Sequence, residues 1–146
     1  MKSLDRLDRE LIALLQANAR DNAASLARRL GVARTTVLSR LARLEANKVI
    51  VGYTVQLSHD VAGATLQAYV GITVQPKSGR DVTRRLAKMP ELRLLCAVSG
   101  EFDYVAWLRA DSPERLDALL DEIGDVEGVV KTTSSIVLAR RIDRTG

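Results

Sequence analysis

The sequence predicts an α+β protein built from an N-terminal winged helix-turn-helix and a C-terminal ferredoxin-like βαββαβ domain. Three observations carry this. Apolar residues recur at helical spacing up to about residue 46; strand-like runs take over from residue 66; and charge is divided unequally between the two parts. The expected division is 1–52 for the helix-turn-helix, 53–64 for a linker strand or hinge, and 65–146 for the second domain.

Of the 146 residues, 47% are hydrophobic and 27% charged, ordinary for a globular chain, while only 3% are aromatic, so the core must be aliphatic. Residues 1–60 carry 10 Lys/Arg against 6 Asp/Glu, and residues 61–146 carry 12 against 12, so the whole net charge of +4 lies in the first part. That distribution suits a module facing a polyanion joined to a neutral module with another task. No apolar run approaches the roughly 18 residues of a membrane span, and the start of the chain lacks the apolar core of a signal peptide. With a lone cysteine, Cys96, these features lead us to expect a cytoplasmic protein without a membrane partner.

Leu4, Leu7, Leu11, Leu14 and Leu15, with Ile12, define a first helix ending near Asn18, its first turn carrying Asp5 and Asp8 at the positive helix end. Asn22 is placed to cap a short second helix from Ala23 to Leu30, which buries Leu26, Ala27 and Leu30. Gly31 suits the left-handed turn that follows. The third helix, Arg34 to Ala46, has an aliphatic back of Val37, Leu41 and Leu44 and a front of Arg34, Thr35, Thr36, Ser39, Arg40 and Arg43. A short helix, a glycine turn and such a helix give the geometry that reads the major groove of duplex DNA. Arginine pairs with guanine, and hydroxyls reach bases or phosphates. The competing reading is a basic helix face that is merely solvated. On the DNA reading, replacing Arg40 and Arg43 by alanine weakens binding and leaves the fold intact. Val49 to Val55 reads as a short strand or wing, with Lys48 placed to touch phosphate. Ser58 to Ala64, with His59, Asp60 and Gly63, reads as the linker.

In the second part the expected order is a strand at 66–74, a helix at 80–88, a strand at 92–99, a tight turn at 100–103, a strand at 104–110, a helix after the Ser112 cap and Pro113, and a strand at 129–138. Both helices of such a βαββαβ fold cover one face of the sheet. Nothing else in the chain covers the other face, so a homodimer is expected, which also suits paired DNA half-sites.

An enzyme is the contrasting class. His59 is the only histidine, Cys96 sits in an apolar strand where a buried structural thiol is expected, and neither a phosphate-binding glycine loop nor metal-ligand spacing is present. The sequence therefore argues against an enzyme and for no metal or cofactor. A third class is an assembly module whose head contacts protein or RNA, against which the Arg/Thr front favours duplex DNA.

The chain resembles the Lrp/AsnC (leucine-responsive or feast-famine) family of transcription regulators. The residues carrying the resemblance are Leu26-Ala27 before Leu30-Gly31, Val37 and Arg40, Leu44-Glu45, Val49-Ile50-Val51-Gly52-Tyr53, Gly100-Glu101-Phe102-Asp103-Tyr104, and Gly128-Val129 leading to Thr132, Ser134 and Ile136-Val137-Leu138. It implies that the second domain binds a small effector, usually an amino acid, between subunits, and that dimers formed through the sheets often assemble into octamers. By motif match, Gly100, Glu101, Phe102, Asp103, Thr132 and Ser134 are the implied effector positions. Free N–H groups at a glycine turn suit a carboxylate, Asp103 an ammonium, and Thr132 and Ser134 hydrogen bonds. Equally, Gly100 suits any tight turn and Asp103 any turn cap. Three departures from the family pattern stand out. Ala33 replaces a capping serine; Lys48 replaces a glycine, leaving Asn47 to take the left-handed position; and Ser134 replaces a threonine.

Overall fold

A computed structural model describes residues 3–58, 61, 63 and 65–143. His59, Asp60, Ala62 and Ala64 of the expected linker lie outside the described residues. The chain divides into two compact units, one running to Gln56 and the other starting at Leu57.

The first unit is three helices: α1 (Arg6–Ala17), α2 (Ala23–Leu30) and α3 (Arg34–Ala46). Asp5 caps α1 by accepting the Asp8 N–H at 2.8 Å, while the Asp8 carboxylate reaches back to the Asp5 N–H. Asn22 caps α2 by accepting the Ser25 N–H at 2.8 Å, and Gly31 ends that helix in the left-handed region with φ 67°. The apolar stripes meet in a core of Leu11, Leu15, Leu26, Ala27, Val37 and Leu44. Helix α3 begins at Ala33 with no side-chain cap.

At the other end of α3 the structure corrects an expectation. Asn47 keeps φ −82°, and it is Lys48 that takes the left-handed conformation, with φ 57°. The N–H groups of Lys48 and Val49 bond back to Glu45 and Leu44, so the geometry of the turn puts the left-handed residue one place later.

The wing is a second correction. Residues 51–58 form no strand pairing, and Val51, Tyr53, Val55 and Leu57 are exposed. Their period-2 alternation is that of a strand, but no segment among the described residues supplies the backbone partner that a strand needs.

The second unit comprises β1 (Leu66–Val74), α4 (Gly79–Leu86), β2 (Leu92–Ala97), β3 (Tyr104–Ala110), α5 (Pro113–Gly124) and β4 (Val129–Ile136). The sheet is antiparallel with order β2-β3-β1-β4. Alternate residues of the central strands, Ala68, Val70 and Ile72 with Ala106, Leu108 and Ala110, pack against Val82 and Leu86 of α4 and Leu116, Leu119 and Ile123 of α5. Ser112 caps α5 by accepting the Arg115 N–H, and Pro113 stands at its start.

The opposite face carries no helix. Across it, Leu94, Trp107 and Tyr69 stand side by side in register, as do Cys96, Val105 and Gly71. Leu94 and Tyr69 are about half exposed. Cys96 is also exposed, which corrects the expectation of a buried thiol. An apolar strand buries both faces only when it is covered on both, and β2 is an edge strand with one face that no helix covers.

Candidate DNA interface and effector region

In the N-terminal unit, Arg34, Thr35, Ser39, Arg43 and Lys48 are exposed, while Thr36 and Arg40 are half-buried. Thr35 and Ser39 lie one turn apart on the face of α3 opposite Val37 and Leu44, and Arg34 opens the helix. These side chains are the accessible part of the expected front.

Arg40 and Arg43 differ, because both are ion-paired to α1. Arg43 Nη2 donates to both oxygens of Asp8, at 2.9 and 2.7 Å. Arg40 Nη1 donates to Asp8 Oδ1 at 3.1 Å and also bonds the Asp5 carboxylate. Asp8 is 2% exposed. The expectation that the protein stays folded without both arginines meets a cost that the sequence did not show: a buried carboxylate would lose its cationic partners. Hydrogen bonding from Arg40 and from the Asp8 N–H holds the Asp5 carboxyl below its ordinary value, and the same bond from Asp5 raises the Arg40 guanidinium. Sequence reasoning missed this cluster. The signal was present, since Asp8 falls in the stripe Leu4, Leu11, Leu15, where a carboxylate needs a cation from another element.

In the second unit, the turn between β2 and β3 holds Gly100 with φ 114°, a conformation L side chains rarely adopt, and an added Cβ there would meet open space. Asp103 ties the turn to β1: its N–H donates to the Ile72 carbonyl at 3.0 Å, and its Oδ2 accepts the Val74 N–H at 2.9 Å. One carboxylate oxygen is thus already engaged as a turn cap. Glu101 is exposed, and Phe102 lays its ring on Gly71, where a Cβ would come within 2.7 Å. Thr132 pairs with Ile72 and Ser134 with Val70, so the register gives both hydroxyl residues the sheet face that the helices cover. Phe102 lies over the other face. The structure brings the turn and Thr132 to one level of the sheet, on either side of Ile72, but it does not gather all six residues around one space within a single copy. Among the described residues no group of His, Cys, Asp and Glu is arranged to hold a metal ion, and no helix is long and apolar enough to cross a membrane.

Comparison with known proteins agrees with this architecture. Residues 4–45 match the AsnC-type helix-turn-helix domain and residues 67–146 the Lrp/AsnC ligand binding domain. The transcriptional regulator LrpA of Mycobacterium tuberculosis is 35% identical over 138 residues, 94% of this chain and 91% of that protein. The structure of E. coli AsnC superposes with a TM-score of 0.87 at 25% identity, covering 98% of this chain and 97% of that one. The feast or famine regulatory protein of M. tuberculosis, solved in complex with L-methionine, superposes with a TM-score of 0.86 at 33% identity, covering 99% and 98%. A DNA-reading head followed by a ligand-binding domain is the make-up of a transcriptional regulator and not of an enzyme, and this chain belongs to the Lrp/AsnC family.

Proposed function

We propose that this protein is a sequence-specific DNA-binding regulator whose grip on DNA is adjusted by an amino acid bound between subunits of its second domain. Residues 1–52 are the DNA-binding domain, 53–64 the connection, and 65–146 the effector and assembly domain. The observation that carries the reading is the exposed start of α3, where Arg34, Thr35 and Ser39 stand free beside Thr36. The N–H groups of the first turn point out of the helix start, as at any helix N-terminus, and favour phosphate. Lys48, exposed just beyond α3, adds a phosphate contact, while Arg40 and Arg43 contribute mainly by holding the helix.

Partners follow from surface chemistry. On the helix-free sheet face, Leu94 and Tyr69 are exposed apolar side chains of the kind that a second copy covers, while Arg140 lies over the Trp107 ring between them. The unpaired row Val51, Tyr53, Val55 and Leu57 adds another such surface. Dimerisation would place two heads for paired half-sites, and octamers extend the same reading. The effector region, Gly100, Glu101, Phe102 and Asp103 with Thr132 and Ser134, presents its parts on different faces. A ligand between copies would take the turn from one and the strand from another. Its occupancy would bias the arrangement of the heads, coupling two sites through quaternary structure. A DNA-reading protein of this composition acts in the cytoplasm.

Two experiments test the reading. Binding to a duplex selected from a random pool is measured for the unaltered protein and for Thr35→Ala/Ser39→Ala. The expected result is a loss of about tenfold or more, consistent with about 1–3 kcal/mol per specific contact. Unchanged binding would remove α3 from the interface. A thermal-shift screen of the twenty amino acids, with methionine among the first, is expected to raise Tm for at least one of them. A flat screen would overturn the amino-acid effector.

A further inference from the structure

Asp8 is a buried carboxylate that belongs neither to the exposed front of α3 nor to the effector region, yet it is held from two positions on α3. Its oxygens receive Arg43 twice and Arg40 once, and Asp5 beside it holds Arg40 as well. The cluster joins the first turn of α1 to the middle of α3.

Its place on α3 gives it consequence. At about 100° per residue, Val37, Leu41 and Leu44 form the buried side of the helix, and Thr35 and Ser39 the side facing away. Arg40 and Arg43 fall on the border between the two. Burial of Val37 and Leu44 decides which side of α3 faces its neighbours, but such contacts are non-directional and set the exact rotation about the helix axis less sharply than hydrogen bonds do. Charge-assisted hydrogen bonds are directional and short. The start of α3 offers no other restraint from capping, since Ala33 has no side chain to bond the first turn.

We propose that Asp8 is a positioning residue for DNA reading: by clamping Arg40 and Arg43 it sets the rotation of α3, and so decides which way Thr35 and Ser39 face. The proposal rests on the reading that this face of α3 enters the groove. It assigns the two arginines a role that a plain basic surface would not have. Their charge still attracts phosphate, but their hydrogen bonds to Asp8 carry the sequence discrimination indirectly.

The test uses the full-length protein, Asp8→Asn, and two probes in the same buffer: a duplex selected by the unaltered protein from a random pool, and poly(dI-dC) as non-specific competitor. The readout is the ratio of the two affinities. Removing a negative charge raises the attraction for any duplex, and a smaller folded fraction weakens both affinities by one factor. Neither moves the ratio. A helix free to rotate lowers it, and a fall of about tenfold is expected. Asp8→Asn added to Thr35→Ala/Ser39→Ala should lower the ratio no further, because residues acting as a unit are non-additive. Where Asp8→Asn does not fold, Arg43→Gln replaces it. Glutamine removes the charge-assisted bonds that Arg43 Nη2 makes to both Asp8 oxygens; the lost charge weakens binding to both probes alike, and the same fall in the ratio is expected. An unchanged ratio overturns the proposal when Thr35→Ala/Ser39→Ala does lower it. If that double variant also leaves the ratio unchanged, the assignment of the reading face fails instead.

Discussion

At the scale of single residues, charged groups in this protein act through their surroundings more than through their own sign. Asp5 and Glu91 are examples. Hydrogen bonding from Arg40 lowers the Asp5 carboxyl from its ordinary 3.8, and hydrogen bonding from Arg115, at 2.7 Å, lowers Glu91 from its ordinary 4.5. A carboxyl whose folded-state pKa is depressed stabilises the fold above its unfolded value, and that contribution is lost as pH falls through the folded value. Tm is therefore expected to hold through neutral pH and to fall once pH drops below 4.5 and then 3.8. Melting curves of Asp5→Asn and Glu91→Gln should show a shallower dependence in that window. A slope as steep as that of the unaltered protein would remove these two pairs as its cause. Replacing Arg40 and Arg43 together by alanine strands the Asp8 carboxylate, so a lower Tm is expected alongside weaker DNA binding. Melting and binding must therefore be measured on the same samples.

At the scale of elements, the two ends of α3 are where the sequence is least suited to its helix. The start lacks a cap, and Ala33→Ser is expected to stabilise by about 1 kcal/mol, a rise in Tm of about 4 °C. The far end puts a lysine in left-handed backbone. Lys48→Gly should relieve about 1 kcal/mol of backbone strain and raise Tm, while weakening DNA binding through loss of a phosphate contact. Denaturant titration and an electrophoretic shift together check this opposition. Equal binding by Lys48→Gly would show that the lysine does not touch DNA. In the second unit, Leu119 of α5 is fully buried between helix and sheet. Leu119→Ala is expected to cost about 3 kcal/mol, read from the shift of the denaturant midpoint. The wing shows the limit of reading elements from pattern. Val51, Tyr53, Val55 and Leu57 alternate as a strand should, but pattern reports what a segment can pair as, and pairing depends on a partner elsewhere.

At the scale of the whole molecule, the proposed dimer rests on the sheet face that no helix covers. Tyr69→Lys with Leu94→Glu puts two charges on that face without entering the core. The expected outcome is a monomer in sedimentation, with the second unit still folded by circular dichroism. A dimer of unchanged affinity would place the contact elsewhere.

Much of this was legible in the sequence because it depends on short-range chemistry. The bounds of α2, α3, β1 and β3 follow from period and punctuation, and the caps at Asn22 and Ser112 from residue type. The order of strands and helices, with one sheet face left bare, follows from connectivity rules. The exposed hydroxyls of α3 were legible as well, since they lie opposite its apolar stripe.

What tertiary structure alone decided involves partners far apart in the chain. That Asp8 meets Arg40 and Arg43, more than thirty residues away, is invisible to local periodicity, although its place in an apolar stripe called for some cation. That Cys96 is exposed depends on β2 being an edge strand with an uncovered face. That Phe102 and Thr132 lie towards opposite faces of the sheet depends on register, where a shift of one residue exchanges faces. The sequence by itself determined the helices, the four strands of the sheet, their order and the family. The structure decided which charges are free to meet DNA and which are already held, because burial and ion pairing are properties of the folded neighbourhood and not of the residue.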